Sequence, residues 1–163
     1  MNHNIREIYT KAVVAKGKKL SRHTYTITLK QDFDKVLGCF VMNHKYNALY
    51  KDEKLIVEGS FDVHLWLLSD HQTYVECHQV NYSDDIALSK KENRKIEHSD
   101  EIHVICLGEP KHINMTTEGN NVCIEVEKEM MAEITGETCI RVEVQDEEEI
   151  WDELDDINPY FIR

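Results

Sequence analysis

The side chains in this chain that could do chemistry are its five cysteines and nine histidines. A thiolate becomes a nucleophile when a base activates it, and thiolates and imidazoles are preferred zinc ligands. Cys77 and His78 are adjacent, but neighbours on a strand point to opposite faces and cannot bond each other. His103 with Cys106 is another possible ligand pair, yet a structural zinc site usually shows two close pairs. We therefore expect no catalytic residue, no metal and no cofactor.

Other catalytic signatures are missing from the sequence. Gly17-Lys18-Lys19 lacks the upstream glycine and the hydroxyl of a phosphate-binding loop. There is no Gly-x-Ser-x-Gly elbow, and the chain shows no dinucleotide fingerprint among its six glycines. The sequence therefore predicts a protein that is not an enzyme.

The cysteine pattern and hydropathy indicate a cellular compartment. The cysteines are odd in number and irregularly spaced, which argues against a secreted disulfide framework, although thiols can cross-link later under oxidising conditions. The longest apolar runs are a few residues, too short to span a bilayer, and residues 1–10 lack the apolar core of a signal peptide. We expect a protein kept in the cytoplasm, with no direct membrane insertion.

Charge is concentrated at the C-terminus. The formal net charge is -12, and more than half of it comes from eight carboxylates between residues 146 and 156, where no basic residue occurs. A chain this acidic is a poor ligand for phosphate, so we expect no nucleic-acid partner. A segment this charged cannot be buried without partners, and its interleaved apolar residues favour contacts with other proteins. The alternative is a tail that only increases solubility.

The predicted partner-binding residues of this tail are of two kinds. Large apolar side chains provide the anchors, and glutamates provide long-range attraction. They are Trp151, Leu154, Ile157, Tyr160, Phe161, Glu147, Glu148 and Glu149.

The rest of the chain has the period-two pattern of β-strands. From residue 122 to 134 the even positions are apolar, apart from Lys128, and most odd positions are glutamate. The pattern resumes at residues 140–144, so we predict a hairpin that turns at residues 135–137. Shorter strands are predicted at 9–14, 25–29, 37–42, 61–68, 73–82, 102–106 and 113–117, with a bulge or bend at Gly59. Residues 83–99 are predicted to be a connection or a short helix.

Eight to ten short strands separated by turn signals favour an all-β fold. We predict an antiparallel β-sandwich or barrel-like body with an acidic, largely disordered C-terminal tail. The predicted boundaries are a β-rich assembly domain at residues 1–145, as one unit or as two small β subdomains, and an interaction tail at residues 146–163. Residues 43–50 are expected to lie between strands and to form a self-association surface, since interfaces favour tyrosine. Its named residues are His44, Tyr46 and Tyr50; the alternative is that these rings cover the core from a loop.

Five stretches resemble one known family from end to end. They are REIYTKAVVAKGKK (residues 6–19), LGCFVMNHKYNA (37–48), VEGSFDVHLW (57–66), AEITGET (132–138) and WDELDDINPYF (151–161). Together they resemble the CotE family, the outer spore coat morphogenetic proteins of endospore-forming bacteria.

The resemblance implies a non-enzymatic scaffold. It would be made in the mother-cell cytoplasm during sporulation and then reside in the spore coat. Its implied partners are itself, as a homo-oligomer, a basement-layer spore coat protein and outer coat proteins. The alternative from another class is a β-sandwich module that binds a small ligand, or an enzyme accessory domain; a large, apolar-lined pocket would favour it.

Overall fold

The computed structural model describes residues 4–91 and 94–144, most of which are in β-strands. The strands are β1 (Asn4–Thr28), β2 (Lys35–Lys51), β3 (Lys54–Ser69), β4 (Gln72–Ile86), β5 (Ser89–Lys90), β6 (Glu101–Glu118) and β7 (Asn121–Val144). None of the described residues is helical, so no helix able to span a membrane occurs among them. The all-β prediction is confirmed.

The strands form two sheets whose pairings with given registers are all antiparallel. One sheet has the order β5-β1-β7-β6, and the other has the order β2-β3-β4. The inner faces of both sheets contribute to one apolar core, in which Phe61 of β3 and Ile124 of β7 are fully buried. The sandwich is therefore the form that the fold takes, with one sheet on each side of the core.

Two-residue turns join the strands of the second sheet. Asp52 and Glu53, between β2 and β3, have φ of 50° and 62°, and Asp70 and His71, between β3 and β4, have φ of 46° and 63°. Two consecutive left-handed residues give the turn whose twist matches that of the flanking strands. The predicted hairpin across residues 69–72 is confirmed, with Ser69 opposite Gln72.

The chain divides into two compact units. Residues 13–136 make up the first, which contains the core. The second contains residues 4–12 and 137–144 of the described chain. In the second unit, the described side chains of residues 5–12 and 137–144 are exposed or half-buried, and none is buried. Arg141 Nε donates to Glu7 Oε1 at 3.0 Å within this unit. The predicted tail at residues 146–163 lies outside the described residues.

The predicted hairpin at residues 135–137 is wrong, because β7 runs unbroken through these positions. Even-numbered residues lie on the buried face up to Gly136, and the apolar parity of Ile140, Val142 and Val144 continues along an uninterrupted strand without any turn. Gly136 is extended, and it marks a close approach: a Cβ there would overlap Arg94 and Asp100. Glycine in this strand reflects packing, whereas the sequence pattern suggested a turn.

Several other predicted strands are fragments of longer ones, so the prediction of eight to ten short strands is also wrong. The segments at 9–14 and 25–29 are both parts of β1, and those at 102–106 and 113–117 are both parts of β6. Polar inward residues in β1 and shifts of register in β6 interrupt the alternation without ending the strand. Residues 83–86 extend β4, and the predicted helix at 83–99 is not found in the described part of that segment.

Candidate functional site: a polar belt between the sheets

A buried ion pair crosses the core between the two sheets. Lys128 lies on the inner face of β7, in a row that is otherwise apolar, and its side chain is 2% exposed. Lys128 Nζ lies 2.7 Å from Oδ2 of Asp84 on β4, whose side chain is 3% exposed. A buried charge without a partner is very costly, so each of these residues makes the other tolerable.

Three residues of β1 complete the surroundings of Asp84. Ser21 Oγ donates to Asp84 Oδ2 at 3.0 Å, and His23 Nε2 lies 2.9 Å from Oδ1. Lys19 Nζ is 3.7 Å from the same Oδ1. The alternation of β1 directs all three side chains toward the inner face, where an apolar residue would be expected. This polar interior explains why residues 15–24 do not look like a strand in the sequence.

The pKa of Asp84 reflects these contacts. Burial by itself would raise the pKa of this carboxyl group, since it disfavours the charged form. Hydrogen bonds from Lys128, His23 and Ser21 outweigh the burial and lower the pKa to about 2. Asp84 is therefore a carboxylate at neutral pH.

Tyr82 extends the network from Lys128 to the opposite side of the core. Lys128 Nζ lies 3.8 Å from the centre of the Tyr82 ring, within the range of a cation–π contact. Burial, followed by the charge of Asp84, raises the pKa of Tyr82, so its hydroxyl keeps its proton. Gly59 makes room for this ring, because a Cβ there would lie 2.5 Å from the Tyr82 hydroxyl.

His44 links Tyr82 to the first sheet. Its Nε2 is 2.6 Å from the Tyr82 hydroxyl, and its Nδ1 is 3.1 Å from Oε2 of Glu109 on β6. The imidazole is 4% exposed, while the Glu109 side chain is 72% exposed. Burial lowers the pKa of His44, and the hydrogen bond and charge of Glu109 oppose that shift. We call the connected set the polar belt: Lys19, Ser21, His23, His44, Tyr82, Asp84, Glu109 and Lys128.

Irregularities in strands β2 and β6 determine the positions of the side chains at the His44 end of the polar belt. The register of β2 against β3 shifts between Met42 and Lys45, and Asn43 has a φ of 56°. Because a one-residue bulge moves the following side chains to the other face, odd residues face inward before it and even residues face inward after it. The register of β6 against β7 also shifts, on both sides of Gly108, next to Glu109. Without the bulge in β2, His44 would point away from the core.

Two groups of ligating side chains come together in the described residues. His44, Cys106 and Glu109 form one group, and Asp62, His64 and Cys77 form the other; within each group the ligand atoms lie within 4.8 Å of one another. Neither group uses the pairs considered from the sequence. Cys77 lies 3.4 Å from His64 Nε2 across the strands, whereas His78 contacts Glu76 on the opposite face at 2.9 Å. The prediction that Cys77 and His78 do not act together agrees with this geometry.

The outer faces of the two sheets differ in character. Among the exposed apolar side chains on the outer face of the β2-β3-β4 sheet are Phe40, Met42, Trp66 and Val75, which we call the apolar patch. Cross-strand registers make them neighbours, since Trp66 lies opposite both Gly38 and Val75, and Phe40 lies opposite His64.

The outer face of the other sheet combines ion pairs with exposed apolar side chains such as Leu20 and Ile105. Lys16 contacts Glu133, Lys18 contacts Glu129 and Arg22 contacts Glu127, at 2.7 to 2.8 Å. The basic cluster of β1 is thus paired with the glutamates of β7. Surface pairs of this kind contribute little stability.

The residues predicted to self-associate lie in β2, so the expectation that they sit between strands is wrong. The bulge directs His44, Tyr46 and Tyr50 toward the inner side, where Tyr50 packs against the core and Tyr46 stays 39% exposed at the edge. The eight residues predicted to bind partners, from Glu147 to Phe161, lie outside the described residues. Both assignments remain predictions.

Sequence reasoning missed most of the polar belt. One signal was available: Lys128 stands alone among apolar residues on one face of a strand, and a buried lysine requires a carboxylate partner. The identity of that partner could not be read from the sequence, because Asp84 and Asp85 are adjacent and the register of β4 decides which faces inward.

Comparison with known proteins supports the resemblance of the five stretches. The chain matches the family described as outer spore coat protein E (CotE) over residues 4–160. No curated protein and no solved structure matches it. Because the match covers nearly the whole chain, including every strand that builds the polar belt, the chain belongs to the CotE family of outer spore coat proteins.

Proposed function

We propose that this protein is a non-enzymatic scaffold that self-associates on the basement layer around the forespore and recruits outer coat proteins. It is made in the mother-cell cytoplasm during sporulation and ends in the spore coat. The observation that carries the proposal is the family match over residues 4–160. The polar belt acts in this role as a structural element, because its charged groups are engaged with one another inside the sandwich.

The outer surfaces support a role in assembly. The apolar patch places one tryptophan and one phenylalanine in contact with solvent, and such side chains are enriched in protein interfaces. Strands β2 and β4 are also the edges of their sheet, so their outer backbone groups are available for pairing with another chain. Self-association through the patch would bury these rings.

Light scattering across protein concentration tests self-association. We expect the full-length chain to form larger species as its concentration rises, and the double variant Phe40→Ser with Trp66→Ser to shift this transition to at least tenfold higher concentration. The matched control, Lys16→Ser with Lys18→Ser, changes exposed residues on the opposite outer face and should leave the transition in place. A strictly monomeric chain at tens of micromolar would contradict the scaffold.

Substitutions in β2 test the predicted self-association residues. Tyr46→Ser removes the ring at the edge, and Tyr50→Ser removes a ring that packs against the core. If the segment contributes to assembly, Tyr46→Ser should weaken association without changing the free energy of unfolding much. A loss of stability alone, in both variants, would assign these rings to the core.

Partner recruitment is proposed for the C-terminal tail. A chain truncated after Gln145 should still fold and self-associate but lose at least some coat-protein partners. Trp151→Ala with Phe161→Ala should weaken capture even at high salt, whereas neutralising Glu147, Glu148 and Glu149 should weaken it mainly at low salt, because charges act over only about 3 Å at 1 M salt. Full recruitment by the truncated chain would reduce the tail to a solubilising segment.

The alternative function, a ligand-binding module, finds little support in the cavities. One cavity of about 490 Å³ is lined by Tyr50, Ile96 and Ile102 together with five charged or titratable residues. Small-molecule pockets are typically apolar with only a few polar groups. This lining therefore favours the scaffold over the module.

A further inference from the structure

The side chains of His44, Cys106 and Glu109 converge at one edge of the sandwich. Their ligand atoms lie within 4.8 Å of one another, and His44 Nδ1 is already 3.1 Å from Glu109 Oε2. In a tetrahedral zinc site, bonds of about 2.0 to 2.3 Å place the ligand atoms roughly 3.3 to 3.8 Å apart. The exposed Glu109 side chain could close the remaining gap by rotation, so the backbone would not have to move.

The backbone is irregular where these ligands are presented. The bulge in β2 at Asn43 turns His44 inward, and in β6 the register shifts directly after Cys106, so that Glu109 lies in the irregular stretch before Lys111. Bulges redirect side chains and are enriched beside functional sites. Asn43 also adopts a left-handed φ of 56°, an unusual conformation for a residue other than glycine. Irregularities on two facing strands thus coincide at one point.

The second nitrogen of His44 has the partner that a metal ligand needs. A metal at Nδ1 requires that Nε2 carry the proton, and Nε2 lies 2.6 Å from the Tyr82 hydroxyl. A hydroxyl both donates and accepts, so Tyr82 can donate to Nε2 without metal and accept from Nε2–H with metal. A hydrogen bond of this kind fixes the orientation of a ligating imidazole.

A cavity of about 350 Å³ adjoins the ligands. Its lining includes Val41, Met42, Asn43 and Pro110 as well as His44 and Glu109. This volume is large enough for water, which would supply the fourth ligand of a site with three protein ligands. Imidazole with thiolate favours zinc over magnesium or calcium, which prefer oxygen ligands throughout.

We propose that His44 Nδ1, Cys106 Sγ and a carboxylate oxygen of Glu109 bind one Zn²⁺ ion, with water as the fourth ligand. Binding replaces the thiol proton of Cys106, which passes to solvent, while His44 binds in its neutral form. Lys128 is near this site, but its charge is compensated by Asp84 at 2.7 Å. This site contradicts the expectation from the sequence that no metal is bound. Nothing in the sequence indicated it, because His44 on β2 is 62 to 65 residues from the two ligands on β6 and the site contains no close pair of the Cys-x-x-Cys type.

The second group, Asp62, His64 and Cys77, lacks these supporting features. Its residues lie on the regular outer face of β3 and β4, and Asp62 Oδ2 already accepts a hydrogen bond from Asn43 at 2.8 Å. It serves as the rival location in the experiment.

Equilibrium dialysis of the full-length chain, first stripped with a chelator, measures zinc stoichiometry and affinity. We expect one zinc per chain, and a tenfold or greater loss of affinity in both Cys106→Ser and Glu109→Gln. Tyr82→Phe, which removes the partner of Nε2, should lose 10- to 100-fold. The matched control is Cys123→Ser: this cysteine is also half-buried, but it contacts Thr26 and belongs to neither group.

Cobalt provides a second readout, since a thiolate ligand to Co²⁺ gives a charge-transfer absorption band. The band should be present in the wild-type chain and in Cys123→Ser, and absent in Cys106→Ser. Circular dichroism shows whether each variant is folded. If Cys106→Ser does not fold, the exposed substitution Glu109→Gln still tests the site. A band that survives in Cys106→Ser but disappears in Cys77→Ser would move the metal to the rival group. No zinc retained by the folded wild-type chain would overturn the proposal.

Discussion

The two ends of the polar belt differ in how completely their groups are satisfied. At the Asp84 end, a buried carboxylate contacts Lys128, Ser21 and His23, and it is 3% exposed. At the His44 end, a buried imidazole reaches out to Glu109, which is 72% exposed and borders a cavity. The same fold thus holds a closed cluster and an open one. A closed cluster is suited to stability, and an open one leaves room for a ligand.

Removing one partner of the closed cluster should have the largest effect. Lys128→Met leaves Asp84 buried without its main counter-charge, and breaking a buried pair typically costs about 3 to 5 kcal/mol. Urea unfolding followed by circular dichroism should show this loss. The double variant Lys128→Met with Asp84→Leu should be less destabilised than Lys128→Met alone; a loss in the double variant as large as in Lys128→Met would show that the unpaired Asp84 carboxylate is not the cause of the destabilisation.

Acid should weaken the closed cluster next. The pKa of Asp84 falls from 3.8 to about 2 on folding, so its contribution is complete above the unfolded value and is lost as the pH falls through about 2. The shift corresponds to roughly 2 kcal/mol, at about 1.4 kcal/mol for each pKa unit. Unfolding free energies measured between pH 5 and pH 2 should decline less steeply in Asp84→Asn. If the unfolding free energy of Asp84→Asn declined with pH as steeply as that of the wild-type chain, Asp84 would not be the group that causes the acid sensitivity.

The link between the two ends should contribute less. Tyr82→Phe keeps the ring under Lys128 but removes the hydroxyl that His44 Nε2 contacts. A buried polar group left without its partner costs about 1 to 3 kcal/mol, and we expect the lower half of that range because the edge of the sandwich admits water. Tyr74→Phe is the control, because its hydroxyl makes an exposed and long contact, 3.5 Å, with the Asp32 carbonyl. Equal losses in the two variants would contradict a specific role for Tyr82.

The open end should contribute least. Glu109→Gln changes an exposed side chain, and exposed ion pairs are worth about 0 to 1 kcal/mol, so metal-free protein should lose less than about 0.5 kcal/mol. Thermal unfolding with and without Zn²⁺ separates the metal-binding role of Glu109 from its small contribution to stability. Only the wild-type chain should show a substantially higher unfolding temperature when the ion is present. A large loss of unfolding free energy in metal-free Glu109→Gln would contradict the proposed difference between the closed and the open end of the polar belt.

The fold was predictable from the sequence to the extent that alternation was regular. The row from Val122 to Ile134 revealed the core face of β7, and the Ser69–Gln72 turn revealed a hairpin, because each depends only on local periodicity and turn chemistry. Strand lengths were not predictable where tertiary packing, and not local turn chemistry, determined which residue is present. Gly136 is needed for close packing, yet glycine in a sequence equally indicates a turn.

The candidate site was far less predictable, for a different reason. His44, Cys106 and Glu109 meet only because irregularities in two strands coincide across the sandwich, and nothing local in the sequence reports on that alignment. The family resemblance, which depends on matching segments, indicated the class of protein without indicating this contact.

The bulge at Asn43 also has a consequence for how β2 tolerates changes in length. Deleting this single residue would let the ladder close, and the side chains from His44 to Lys51 would keep their faces, because Met42 outward and His44 inward would then alternate regularly. Deleting any one residue between Lys45 and Lys51 would instead move the side chains that follow it to the opposite face. Among one-residue deletions in the second half of β2, the deletion of Asn43 should therefore be the least damaging to stability.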